Sequence, residues 1–165
     1  MTAVRGFAPI EAPGARILVL GTMPGIASLE AQQYYAHPRN AFWRITGELF
    51  AFDAGAPYAE RAAQLARAGV VVWDVLQGCV RPGSLDAAIE RGSEIPNDIV
   101  GLLARQPGIT RIGLNGGTAA RLFRRHIEPQ LAADNLELLA LPSTSPAHAG
   151  QSFEQKLAAW RALSV

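Results

Sequence analysis

One cysteine, Cys79, stands in 165 residues. A lone thiol excludes an intrachain disulfide, a Cys-x-x-Cys zinc knuckle and a cysteine-ligated iron–sulfur cluster. It suits a reducing cytoplasm, where thiols stay unpaired. Histidine is scarce too: His37, His126 and His148 are widely separated, and their spacing matches no metal site. No apolar run approaches the ~18 residues that a bilayer span requires. The N-terminus lacks the basic-then-apolar pattern of a signal peptide. With a formal net charge of +1 there is no polybasic tail, although a local patch is enough to hold a nucleic acid. The expectation is a cytoplasmic protein with no membrane partner, no metal and no cofactor.

What is present is apolar and ordered. Hydrophobic residues make up 49% of the chain and charged ones 18%, the balance of a globular protein. The length fits a single domain over residues 1–165 with a sizeable core. Four short apolar runs read as buried strands: Arg16–Leu20, Val70–Trp73, Arg111–Leu114 and Leu136–Leu141. Segments with helical periodicity separate them, which predicts a mostly parallel sheet covered by helices on both faces. The expected helices include Ala41–Phe50, Tyr58–Ala68, Asp98–Arg105 capped by Asn97 and stopped at Gly108, and one from Gly117 or Thr118 towards His126. Ser152 and Gln155 form a capping-box pattern for a last helix to about Ala162. Nothing in the sequence demands an oligomer, so a monomer is expected.

Ligands of open parallel sheets sit beyond the carboxyl ends of the strands, and three loops leave such ends with unusual chemistry. "GTMPG" (Gly21–Gly25) combines glycines that let a ligand approach the backbone with a proline. It lacks the Gly-Lys-Ser/Thr of a P-loop and the spaced glycines of a dinucleotide fold, and a plain tight turn is the alternative. "WDVLQGCVRPGS" (Trp73–Ser84) places Asp74 directly after an apolar run, either as a cap or aimed into a pocket. There a carboxylate would select a ligand N–H. "LPSTSPAHA" (Leu141–Ala149) offers Ser143, Thr144 and Ser145 between two prolines. Hydroxyls on a stiff loop suit phosphate oxygens, although a self-capped polar turn or a serine–His148 hydrolase pair is also conceivable. Arg121, Arg124 and Arg125 share a helix face, solvated or touching phosphate.

The segment "YYAHPRNAFW" (Tyr34–Trp43) carries more chemistry than a core needs. One of its tyrosines could present a face to a base. His37 suits ordering the turn, and Asn40 is a favoured helix cap.

Taken together, "GTMPG", "HPRNAFW", "WDVL" with "PGSLDAAI", and "LPSTSPAHA" resemble the motifs of the uracil-DNA glycosylase superfamily. The match is most specific to its hypoxanthine-DNA (deoxyinosine) glycosylase family, over about Ala15 to Ala162. The resemblance implies a three-layer α/β/α fold with a central, mostly parallel four-stranded sheet. It implies a monofunctional enzyme of base-excision repair that excises a deaminated base, hypoxanthine first, from DNA. Many superfamily members carry a water-positioning Asp or Asn where Met23 stands, and a polar residue where Leu141 stands. In the hypoxanthine family the asparagine of H-P-x-N is implicated in catalysis, and that residue maps onto Asn40. The resemblance further implies Tyr35 stacked on the extruded base, Thr22 and Met23 lining its pocket, Asp74 reading N1–H, and Ser143, Thr144 and Ser145 on phosphates. The alternatives are excision of uracil, xanthine or mismatched thymine on the same scaffold, and a catalytically degenerate DNA-binding module.

Overall fold

A computed structural model describes residues 3–132 and 135–165. Its central sheet is built from the four apolar runs: β2 (Ile17–Gly21), β3 (Val70–Asp74), β6 (Arg111–Asn115) and β7 (Glu137–Leu141). They pair in parallel in the order β3-β2-β6-β7. Short runs rich in Val, Ile and Leu suit strands buried on both faces. Alternate side chains leave the sheet on opposite sides. Leu18, Leu20, Val71, Ile112 and Leu114 enter one core, whereas Val19, Val70 and Val72 enter the other.

The first core is closed by α4 (Ile99–Arg105) and α5 (Gly117–His126), through Ile99, Leu102, Leu122 and Phe123. The second is closed by α2 (Phe42–Phe50), α3 (Tyr58–Arg67) and α6 (Phe153–Trp160), through Phe42, Trp43, Ile45, Leu65 and Trp160. The three-layer α/β/α expectation is therefore met. The capping box at Ser152 is present, with Ser152 Oγ accepting from the Gln155 amide at 3.2 Å and Gln155 Oε1 accepting back from the Ser152 amide at 2.8 Å.

Several local expectations are corrected. The segment read as one loop after Trp73 contains β4 (Leu76–Val80), which starts one residue beyond β3. It forms a second, antiparallel sheet with β1 (Ala3–Arg5) and β5 (Ile95–Pro96), in the order β1-β4-β5. A short helix, α1 (Ile26–Ala31), also follows "GTMPG". Helix α4 is capped by Asp98, whose Oδ1 accepts from the Gly101 amide at 2.9 Å. Asn97 instead donates its Nδ2 to the carbonyl of Asp74 at 2.8 Å, a tie across space that local spacing does not encode. The helix ends at Arg105 with Gln106 as its C-cap, short of Gly108. Helix α6 stops at Trp160 and passes into a 3-10 turn, Arg161–Leu163. Among the described residues no helix is long and apolar enough to cross a membrane.

Candidate active site

The parallel register brings Gly21 level with Asp74, and Asn115 level with Leu141. The chain leaves β2 towards β3 on one side, and β6 lies on β2's other side. This is the switch point at which open α/β sheets gather ligands. A cleft of about 540 Å³ opens there, within the size range of small-ligand sites. Thr22, Met23, Tyr35, Asn40 and Asp74 all line it. So do Ser143, Thr144 and Ser145 from the loop after β7. The residues expected to act together from the sequence therefore meet in one place.

The aromatic wall is built by the opening segment. Tyr35 takes φ of 53°, the left-handed region that a bulky residue rarely adopts. This turns its ring onto Phe42, with centroids 4.0 Å apart and planes 19° from parallel. Tyr35 is thus backed on one face and lines the cleft. Tyr34 is core: it is buried, its hydroxyl donates to the Ala8 carbonyl at 2.8 Å, and its carbonyl accepts from Trp43 Nε1 at 2.9 Å. His37 orders the turn by accepting the Arg39 amide on Nδ1 at 3.1 Å. Asn40 does local work as well, its Oδ1 accepting from the Phe42 amide at 2.9 Å. The helix N-cap itself is Ala41. An amide oxygen has a second lone pair, so Asn40 keeps an acceptor and its NH2 beyond that turn.

The floor is acidic and incompletely paired. Asp74 is only 4% exposed, and its Oδ2 has no hydrogen-bond partner among the described residues. Burial, and then the charge of nearby Asp86, push its carboxyl up to about 7, against the pull of Arg81. Asp86 is itself pushed up by burial, while Thr22, Arg81 and Arg121 pull it down. The buried Thr22 hydroxyl helps to pull Asp86 down, yet among the described residues it makes no hydrogen bond of 3.5 Å or less. Arg81 is 1% exposed. Its Nη2 donates to the Pro24 carbonyl at 2.7 Å and its Nε to the Gly83 carbonyl at 2.8 Å, fastening "GTMPG" to the chain after β4. Its Nη1 has no partner among the described residues. Buried polar atoms are nearly always paired, so the two orphans in the cleft lining, Asp74 Oδ2 and Thr22 Oγ1, mark a place built for something else to bind.

The third wall divides its serines from its threonine. Thr144 is 1% exposed, bonded to Asn115 through both hydroxyl and amide, and its carbonyl accepts the Ala41 amide at 3.0 Å. It shapes the loop and ties it to the start of α2. Ser143 and Ser145 are half-buried and line the opening. Ser143 Oγ accepts from the Ser145 amide and Ser145 Oγ from the Ala147 amide, at 3.1 and 3.2 Å. Among the described residues neither hydroxyl is bonded to His148, so the pairing of a serine nucleophile with its base is not formed.

Asp86, Arg81 and Asn115 were not singled out by sequence reasoning. Asn115 carried a usable signal, because a polar residue ending an apolar strand before Gly-Gly repeats the pattern of Asp74. Asp86 sits in a short 3-10 turn, Asp86–Ala88, and had no such signal. Among the described residues no group of three or more His, Cys, Asp or Glu is placed to hold a metal ion.

Comparison with known proteins agrees with this geometry. The family model of the uracil DNA glycosylase superfamily matches residues 8–164. A hypoxanthine DNA glycosylase of Methanosarcina acetivorans is 34% identical over 87% of each chain. One from Methanosarcina barkeri is 31% identical over 94% of each. The NMR solution structure of a candidate uracil DNA glycosylase from Methanosarcina acetivorans superposes with a TM-score of 0.80, at 28% identity over 99% of this chain and 100% of that one. The cleft thus lies on a recognised scaffold, and the chain belongs to the uracil DNA glycosylase superfamily, in the family of the hypoxanthine DNA glycosylases.

Proposed function

We propose that the cleft hydrolyses the N-glycosidic bond of deoxyinosine in DNA, releasing hypoxanthine and leaving an abasic site. The observation that carries this reading is the unpaired floor beside the Tyr35 ring, where Asp74 Oδ2 and Thr22 Oγ1 are buried without partners. The names of the two relatives support the choice of base. Hypoxanthine carries an N1–H donor, which an ionised Asp74 accepts; neutral adenine has no proton there. Leaving a buried acceptor unmet costs about 1–3 kcal/mol, and that difference favours hypoxanthine over adenine.

A glycosylase reaches its base by rotating the nucleotide out of the duplex, at a cost of a few kcal/mol. Stacking on the Tyr35 ring, held from behind by Phe42, returns about 1–3 kcal/mol of it. The Pro-stiffened loop bearing Ser143 and Ser145 grips the flanking phosphates, with Thr144 holding its shape. Thr22 and Met23 border the base. Asn40 positions the attacking water with its amide oxygen and stabilises positive charge developing on the sugar. Asparagine is no general base, so its contribution is placement. A single domain over residues 1–165 acts here as a monomer in the cytoplasm, without metal or cofactor. The lone, buried Cys79 suits a reducing compartment.

The test is a panel of duplexes carrying deoxyinosine, deoxyuracil, deoxyxanthosine or thymine opposite guanine, treated with alkali to break abasic sites. The expected result is fastest cleavage at deoxyinosine, with release of free hypoxanthine. Faster cleavage at uracil or thymine would move the specificity elsewhere on the scaffold. Salt-sensitive binding without any strand breaks would make the protein a binding module.

A further inference from the structure

We propose that Asp86 is the acid of this cleft: Asp74 and Asp86 hold a single proton between them, and that proton passes to the purine as it departs. The inference rests on the deoxyinosine reading and supplies what that reading lacks, a donor for the leaving group.

The placement comes first. Asp74 ends β3 and Asp86 opens the turn after β4, and both carboxylates line the same cleft. The charge of the buried Arg81 pulls both carboxyls down. Like-charged carboxylates in a shared site do not both ionise freely, and such a pair titrates as a unit. Burial holds both carboxyls up, and the charge of Asp86 adds to the rise at Asp74.

The surroundings do not cancel it. From the segment after α1, Asp74 faces the phenols of Tyr34 and Tyr35, both pushed further from ionisation by burial and by Asp74 itself. Arg121 of α5 shares the cleft lining with Asp86, Arg81 pulls its carboxyl down, and the charge of Asp86 helps to raise the buried Cys79 thiol. His37 and His148 stand elsewhere on the cleft wall. Arg91, Glu94 and Arg125 line a second, smaller pocket together with Asp86, with Glu94 and Arg125 joined at 3.5 Å.

Bound hypoxanthine sorts the roles. Its N1–H needs an ionised acceptor, which is Asp74, so the pair's proton resides on Asp86. Around the ring from N1–H come O6 and then N7. As the C1′–N9 bond breaks, its electron pair goes to the purine. N7 takes the Asp86 proton, and neutral hypoxanthine leaves. The water held at Asn40 adds its oxygen to C1′, and the proton it sheds restores the pair.

The experiment is single-turnover cleavage of a deoxyinosine duplex from about pH 5 to about pH 9 by the wild type, Asp86→Asn and Asp86→Glu. Wild-type rate is expected to fall as the pair loses its proton above neutrality. Asp86→Asn should lose about 10²- to 10⁴-fold and no longer show that limb, while duplex affinity stays within about threefold. Asp86→Glu should keep the limb at a displaced midpoint. A structural residue would lower activity without moving the profile. A flat wild-type profile, or an Asp86→Asn rate within about threefold of wild type, overturns the assignment. The wild-type profile decides alone if Asp86→Asn does not fold. A wild type that releases no hypoxanthine at any pH overturns the deoxyinosine reading, and the Asp86 assignment with it; an active wild type with an equally active Asp86→Asn overturns only the latter.

Discussion

Asn115 and Thr144, 29 residues apart, exchange two hydrogen bonds: Asn115 Nδ2 donates to Thr144 Oγ1 at 3.0 Å, and the Thr144 amide donates back to Asn115 Oδ1 at 3.0 Å. The same Nδ2 donates to Tyr35 Oη at 3.2 Å. One side chain at the end of β6 therefore joins the serine loop to the aromatic wall. Asn115→Ala would leave the buried Thr144 amide and hydroxyl unmet. We expect a loss of about 2–4 kcal/mol, from the penalty per orphaned buried group, read as a lower denaturation midpoint. Duplex affinity should fall too, because both walls loosen. A variant with unchanged midpoint and affinity would show that the loop holds its shape without Asn115.

Asn40 has two jobs that substitution can separate. Its Oδ1 holds the Phe42 amide at 2.9 Å, at the entry to α2. Asn40→Asp keeps that acceptor, whereas Asn40→Ala removes it and should cost about 0.5–2 kcal/mol, as lost caps do. Catalysis should fall about 10²- to 10³-fold in Asn40→Ala, the scale of losing one positioned polar group. In single-turnover assays at saturating enzyme that loss should exceed anything the stability change explains. A variant with full turnover would leave water placement to another residue.

How far the site could be read in advance depended on whether its cause was local. The four central strands and helices α2, α3 and α5 announce themselves by period and composition, and the capping box at Ser152 is spelled in four residues. Strand β4 was hidden because only Val75 separates it from β3, so that one apolar stretch serves two sheets. Strand β5 is two residues long, too short for any period to show. Asn97 was read as a cap because caps are local; its actual bond to the Asp74 carbonyl spans 23 positions. Asp74 and Asn40 were visible as polar residues in conspicuous places. Arg81 looks like ordinary surface charge in sequence, and Asp86 lies in the "PGSLDAAI" motif with no role marked for it; only folding of the chain after β4 against "GTMPG" buries Arg81 and brings Asp86 into the cleft.

Gly21 tests the closeness of that floor. A Cβ there would lie 2.6 Å from Asp74 Oδ1 and 2.7 Å from Tyr35 Oη, both nearer than atoms tolerate. Tyr35 is fixed by its stack on Phe42 and Asp74 is buried, so neither yields freely. Gly21→Ala should cost about 1–3 kcal/mol as overpacking does and shift both groups. We expect loss of deoxyinosine cleavage out of proportion to the fall in denaturation midpoint. Full activity in Gly21→Ala would mean that the wall and floor need not meet so closely.

Asp74 should also leave its mark on the pH dependence of folding. Burial, and then the charge of Asp86, push its carboxyl up to about 7 in the folded protein, against an ordinary value of 3.8. Between those values the native state binds more protons than the unfolded chain, so stability falls as pH rises across that window. The cost is complete above the folded value and absent below the unfolded one. It amounts to a few kcal/mol, at about 1.4 kcal/mol per pH unit of displacement. Asp74→Asn carries no charge to lose, so it should melt about 5–10 °C above wild type near pH 8 and at nearly the same temperature near pH 4, on the usual scale for a domain of this size. Scanning calorimetry at the two pH values reads the difference directly. An equal gain at both would trace the effect to packing, and no gain at pH 8 would mean that Asp74 ionises as easily in the cleft as in water.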